Sequence, residues 1–170
     1  MKMESMSKNI VAIITELQKV QVLMRLTLND VNDPYQMAVS QIQINEASDP
    51  KNPNARILPY PFDPEATIDD GSFIRAYYNN GDFDDSEVIA ESNIFIDIIV
   101  AKSLWLIHDS NLNESRIRPY EMMGHIINKV GKRSLGTTIR LKINGYQHMS
   151  VNTKFECIRL YCEYYSVESN

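Results

Sequence analysis

The chain has 170 residues, 44% of them apolar and 23% charged, with 17 Lys and Arg against 22 Asp and Glu for a net charge of −5. That length and apolar content suit one domain with its own core and exclude a disordered chain. The negative balance excludes a surface that grips nucleic acid all round and leaves room only for a local basic patch.

Residues 8–28 repeat apolar side chains at helical spacing (Ile10, Ile13, Ile14, Leu17, Val20, Met24, Leu28) and are read as one amphipathic helix. Ser7 is its expected N-cap, and Asn29 to Pro34 end it. Its apolar run, Ile10 to Ile14, is too short for a signal segment, and no run nears the about 18 residues of a membrane helix. The expectation is a soluble, non-secreted protein. Residues 35–44 fit neither helical nor strand period well and are read as a short strand or a turn of helix.

Residues 45–71 hold Pro50, Pro53, Pro59, Pro61 and Pro64, which break regular backbone hydrogen bonding. With Ile57, Leu58, Tyr60 and Phe62 among them, they read as an extended arm that lies on another surface. Residues 72–79 read as a strand closed by a turn at Asn80-Gly81, and residues 82–87 as an acidic loop. Asn93 to Lys102 is the strongest strand signal, apolar on both faces and therefore central.

Pro119 suits the first turn of a second helix, with Tyr120, Met123, Ile127 and Val130 as its apolar stripe, joined by Met122 and Ile126. Gly131 is its expected C-cap. Two strands, 137–143 and 153–165, are expected to flank a turn at Asn144-Gly145. Cys157 and Cys162 are five apart, which puts them on opposite faces of one strand as buried, reduced thiols. The order predicts an α+β fold in a single domain, 1–170. Its sheet is mainly antiparallel, with the N-terminal helix and a second helix packed on it and the proline-rich arm outside.

Catalytic signatures are missing. There is no GxSxG, Walker loop, GxGxxG, HExxH or zinc-type Cys/His spacing, and the three histidines stand far apart in sequence. The Asp82–Glu87 run lacks the glycine and terminal glutamate of an EF-hand and reads as a solvated loop. No cofactor, metal site or catalytic residue is nominated, and the expectation is a protein that is not an enzyme.

Charge, by contrast, is patterned. Residues 63–91 sum to −8 and residues 114–159 to +6. Such a split fits either two solvated faces of a monomer or a surface that complements a second copy. In the second case subunits join head to tail and close into a ring. The candidate interface residues are Arg116, Arg118, Lys132 and Arg133 on the basic side, Asp82, Asp84 and Asp85 on the acidic side, and Tyr60 and Phe62 on the arm. Aromatics for base stacking are not interleaved with the basic residues, so sequence-specific nucleic-acid binding is not expected.

The span from Ser72 to Tyr165 resembles the tail-terminator, or tail-completion, proteins of long-tailed bacteriophages. The resemblance is carried by Phe73-Ile74-Arg75-Ala76-Tyr77-Tyr78, by Ile94 to Lys102 with Trp105 just after, and by Arg118 to Met123. The last strand and the N-terminal amphipathic helix extend it. The resemblance implies a structural virion protein at the neck, assembled in the host cytoplasm as a homo-oligomeric ring, usually a hexamer. Such a ring caps the tail tube, stops its polymerisation and docks to the head-closure or connector protein. DNA passes through the lumen, and no cofactor or membrane is involved. The alternatives are another neck component, such as a head-closure protein, or a small soluble enzyme with a distributed site.

Overall fold

Strand β3, Ile89–Ala101, is the axis of the architecture. The computed structural model describes residues 4–67, 69–86, 89–135 and 139–166. On one face of β3, Ile94, Ile96, Ile98 and Val100 are fully buried in the main core. On the other, Ile99 and Ala101 join Phe73, Phe155 and Cys157 in a second, smaller cluster. A strand apolar on both faces needs cover on both, and β3 accordingly lies in the middle of the sheet.

That sheet has the order β1-β2-β3-β7-β6, with β1 Ile57–Leu58, β2 Ser72–Phe83, β6 Ile139–Ser150 and β7 Phe155–Ser166. All neighbours are antiparallel except the short β1, which runs parallel to β2. Helices α1 (Glu4–Gln18), α2 (Gln21–Leu28) and α4 (Arg118–Val130) cover one face, and a hairpin of β4 (Leu106–Asp109) and β5 (Glu114–Ile117) leads into α4. The fold is the expected α+β class. Cys162 sits in the main core and Cys157 in the second cluster, on opposite faces as their spacing requires.

The expected helix over 8–28 is two helices. It breaks at Lys19 and Val20, where Val20 takes an extended backbone (φ −89°, ψ 99°). The break changes the buried phase. Ile10, Ile13, Ile14 and Leu17 are buried in α1, whereas Leu23, Met24, Leu26 and Thr27 are buried in α2. Both α1 and α2 pack on β2 and on α4, and the break lets each present its own stripe to them. Ser7 lies inside α1 and is not its N-cap.

Residues 35–44 hold a 3₁₀ turn at Pro34–Gln36 and the start of α3, Gln41–Ala47. Ser40 caps α3, its hydroxyl accepting from Gln43 N while Gln43 Oε1 accepts from Ser40 N. The arm is more ordered than its prolines suggest. Residues 45–47 finish α3, and Ile57 and Leu58 form β1 between Pro53 and Pro59, with Ile74 N donating to Arg56 O at 2.8 Å.

Both Asn-Gly pairs were expected as hairpin turns, and both lie inside strands at a bulge: the residue without a register partner is Asn79, just before Asn80-Gly81, in β2 and Asn144 in β6. The register shifts at Tyr78/Asn80 in β2 and at Ile143/Gly145 in β6. The β6–β7 reversal falls instead at residues 151–154, where Asn152 Oδ1 accepts from Lys154 N and Phe155 N at 2.9 and 2.8 Å. The β2–β3 reversal begins at Asp84, and the Glu87 end of the expected acidic loop lies outside the described residues, as does Thr137.

Helix α4 buries Arg118, Met122, Ile126 and Val130, each four residues from the last, together with Pro119. Tyr120 and Ile127, expected on the stripe, are 40% and 38% exposed. The buried Arg118 sets the helix rotation, an anchor that an apolar pattern does not show. Gly131 is the C-cap, with an extended backbone; a Cβ there would stand 2.6 Å from Ile127 O.

Candidate functional site

The charged candidates separate onto the two edges of the sheet, at the same end of it. Asp82 is in the last residues of β2, and Asp84 and Asp85 are exposed in the turn that follows. Asp84 Oδ1 accepts from the Ser86 N and Oγ at 2.8 and 2.7 Å, an Asx turn that holds the tip. With exposed Glu91 on β3, this makes an acidic corner.

Lys132 and Arg133 are exposed in the loop after α4. Lys132 adopts a left-handed backbone (φ 56°), and its N–H donates to Leu141 O at 2.9 Å. Bridges from Gly131 to Leu141 and from Ser134 to Arg140 lay the loop along the start of β6. Lys132, Arg133 and exposed Arg140 form a basic corner, and none of the three makes an ion pair among the described residues. Lys142 is beside them but is paired to Glu163 at 3.0 Å.

Arg118 does not belong to any surface. It is 0% exposed, and its guanidinium is spent on four backbone carbonyls. Nε donates to Leu104 at 2.9 Å, Nη1 to Leu26 and Asn29 at 2.5 and 3.0 Å, and Nη2 to Val31 at 2.7 Å. Leu26 and Asn29 lie at the C-terminal end of α2, where carbonyls lack helical partners and a cation is favoured. Burial pushes the guanidinium down to about 10, so it stays protonated at neutral pH. Its expected interface role is corrected to that of an internal latch. Arg116 is partly exposed, but Glu114 and Glu121 hold it at 3.1 Å each, with Asp109 at 3.8 Å. It is neutralised within its own chain.

The two arm aromatics both stand against Arg75 but differ in burial. Phe62 packs on Phe73 and Phe155 with ring centroids 5.0 and 5.2 Å apart. The arm therefore lies on this chain's own sheet. Arg75, 5% exposed, stacks among Tyr60, Phe62 and Phe73 at 5.6–5.9 Å, which gives the buried cation a π environment in place of a carboxylate. Tyr60 is 45% exposed and faces an open apolar groove of about 540 Å³ between α1, the arm and β2. A smaller hollow of about 230 Å³ continues it along the end of β2.

The sequence reading missed a network on the sheet face away from the helices. Asp97, 3% exposed, accepts from Arg159 Nε and Nη2 at 2.8 and 2.9 Å and from Tyr77 Oη at 2.7 Å. The Asp97 carboxylate holds Arg159 firmly protonated, and burial with the same carboxylate raises the Tyr77 phenol. Arg159 also lies 4.2 Å over the Phe95 ring. The signal was available: an aspartate inside a strand apolar on both faces must find a cationic or multi-donor partner. Among the described residues no cluster of three or more metal-type side chains occurs, and no helix is long and apolar enough to cross a membrane. Burial pushes both thiols up to about 12, which keeps them protonated and poor nucleophiles.

Comparison places the chain among phage-related proteins. It belongs to the YomW family, whose model matches residues 20–164. That family carries the name of an SPβ-type prophage protein. A search of curated proteins finds no match.

Proposed function

We propose that the protein is a tail terminator: a structural, non-enzymatic virion component that forms a ring at the neck, caps the tail tube and joins tail to head. One observation carries the reading. The sheet has an acidic corner on one edge and, on the other, a basic corner that makes no ion pair among the described residues, both at the same end. A subunit so built attracts its own copy head to tail, and head-to-tail contacts generate rings when the rotation closes. Family membership supplies the phage context, and the α+β fold agrees with the resemblance of residues 72–165. The ring is expected to pass DNA without reading it and to meet a tube protein on one side and a head-closure or connector protein on the other.

The test is a nonsense mutation of this chain in the phage that carries it, followed by electron microscopy of the lysate. Tails that overrun their normal length identify a terminator. Tails of normal length beside heads that have lost DNA identify a head-closure component instead. Normal virions overturn both.

A further inference from the structure

We propose that the subunits join edge to edge, with the exposed end of β2 in one copy lying antiparallel beside β6 of the next. This rests on the ring reading above and names the surfaces that close it. β1 pairs with β2 only at Ile74 and Arg75, and the strand is covered as far as Ala76, which is 0% exposed. From Asn79 to Phe83 the strand is exposed, and no other described strand lies on that side of it. β6 is the opposite edge. The loop after α4 touches it at Arg140 and Leu141, and past these no described strand accompanies it. An open strand edge is a row of backbone donors and acceptors that a second strand completes.

Three features choose β6 of a second copy as the occupant. The first is charge. The β2 end carries Asp82 and leads to Asp84 and Asp85, while the start of β6 is ringed by Lys132, Arg133 and Arg140. The second is direction. The acidic corner is at the C-terminal end of β2 and the basic corner at the N-terminal end of β6, so matching them sets the two strands antiparallel. This is the sense in which β2, β3, β7 and β6 already alternate, so the sheet continues from copy to copy without a break in pattern. The third is apolar fill. The hollows beside the end of β2 are walled by exposed Val11 and Phe83, and β6 offers Tyr146, 61% exposed. The register of each edge strand also shifts, at Tyr78/Asn80 and Asp82/Phe83 in β2 and at Ile143/Gly145 in β6, and such bulges add twist and let a sheet curve. Because each copy has one edge of each kind, the contact is heterologous.

The test uses two full-length variants, one with Asp82→Lys, Asp84→Lys and Asp85→Lys, the other with Lys132→Glu, Arg133→Glu and Arg140→Glu. All six side chains are exposed, so the fold is expected to persist, and circular dichroism checks it. Analytical ultracentrifugation follows the mass of each alone and of the two mixed, at concentrations up to millimolar. Each variant alone is expected to self-associate about a hundredfold more weakly than the parent, because like charges then meet at the contact. The mixture is expected to regain the assembly, since the reversed β2 end of one variant then meets the reversed β6 start of the other, and the two unreversed edges meet as in the parent, opposite charges facing at both contacts. Parent-like assembly of either variant alone overturns the edge contact and leaves the ring reading standing. Failure of the mixture to assemble, when the parent does, also overturns it. A parent that stays monomeric throughout overturns the ring reading and the contact with it.

Discussion

Replacing Arg118 by methionine removes a cation but keeps most of the side-chain volume, so it isolates the hydrogen bonds from the packing. Four carbonyls lose their donor: Leu26, Asn29, Val31 and Leu104. Each buried acceptor left without a partner costs about 1–3 kcal/mol, so four cost at least about 4 kcal/mol. Relief from burying a charge works the other way, as replacement of buried ion pairs by apolar residues shows. Here that relief is small, because four carbonyl dipoles already stand in for the lost water around the guanidinium. A net loss of about 4 kcal/mol is a large share of the ~5–15 kcal/mol available to a typical domain. With a urea slope of about 2 kcal/mol per molar, the unfolding midpoint falls by about 2 M. Arg118→Lys restores the charge but cannot present the planar fork that reaches carbonyls on two segments, and recovers about half of the loss. A methionine variant whose midpoint falls by less than about 0.5 M would show that the carbonyls find water or relax. The latch would then be decorative.

Asp97→Asn leaves Arg159 without its counter-charge in a site where Asp97 is 3% exposed, and is expected to cost about 2 kcal/mol in urea unfolding; a shift below about 0.5 kcal/mol would mean that Tyr77 and Phe95 alone satisfy the guanidinium. Phe62→Ala removes the aromatic that seats the arm on Phe73 and Phe155. It is expected to cost about 2 kcal/mol and to open residues 59–67 to limited proteolysis, whereas unchanged cleavage would show that Arg75 and β1 hold the arm unaided. Both thiols, raised to about 12 by burial, are expected to resist a thiol reagent in the native protein and react fully in denaturant; fast native labelling would contradict the burial. The same thiols and Tyr35, also raised to about 12 chiefly by burial, prefer the neutral form when folded. Their contribution to stability is complete below the unfolded values, which begin near 9 for a thiol, and is lost as the pH climbs towards 12. Melting temperature should therefore fall across that window, and a flat profile from pH 9 to 12 would refute the assignment.

What the sequence could show was periodicity. The two-faced alternation of Ile94 to Ala101 placed β3 at the centre, and the odd spacing of Cys157 and Cys162 put them on opposite faces. Where two physical solutions share one local pattern, the reading went wrong. Asn-Gly tolerates the backbone of a tight turn and of a bulge alike; only the continuation of pairing to Phe83 and to Ser150 separates them. A continuous apolar stripe over residues 8–28 fits one helix, but tertiary contact demanded two aims from it. Arg118 was misplaced because a charged residue is normally outside. The carbonyls that draw it in come from Leu26 to Val31 and from Leu104, segments that no local window joins to it.

The edges were the part least accessible to such reasoning. A net charge of −8 over residues 63–91 and +6 over 114–159 showed that charge was segregated, but segment sums cannot distinguish a paired charge from an available one. The fold removes Arg118 to the interior, spends Arg116 on Glu114 and Glu121, and ties Lys154 to Asp70 and Arg159 to Asp97. Lys154–Asp70 crosses between the acidic and basic segments, the Arg116 pairs stay within the basic one, and Arg159 is met by an acid outside both, so much of the positive excess is settled inside the subunit. The exposed charges at the two margins are fewer and better placed: Asp82, Asp84 and Asp85 at the end of one edge strand, and Lys132, Arg133 and Arg140 at the start of the other. The strand order puts β2 and β6 at opposite margins, apart from the short β1, and the antiparallel alternation puts their charged ends level. Neither fact exists before the sheet is assembled. The same composition with β6 and β7 exchanged in the sheet would bury the basic strand beside β3 and leave the acidic corner nothing of its own to meet.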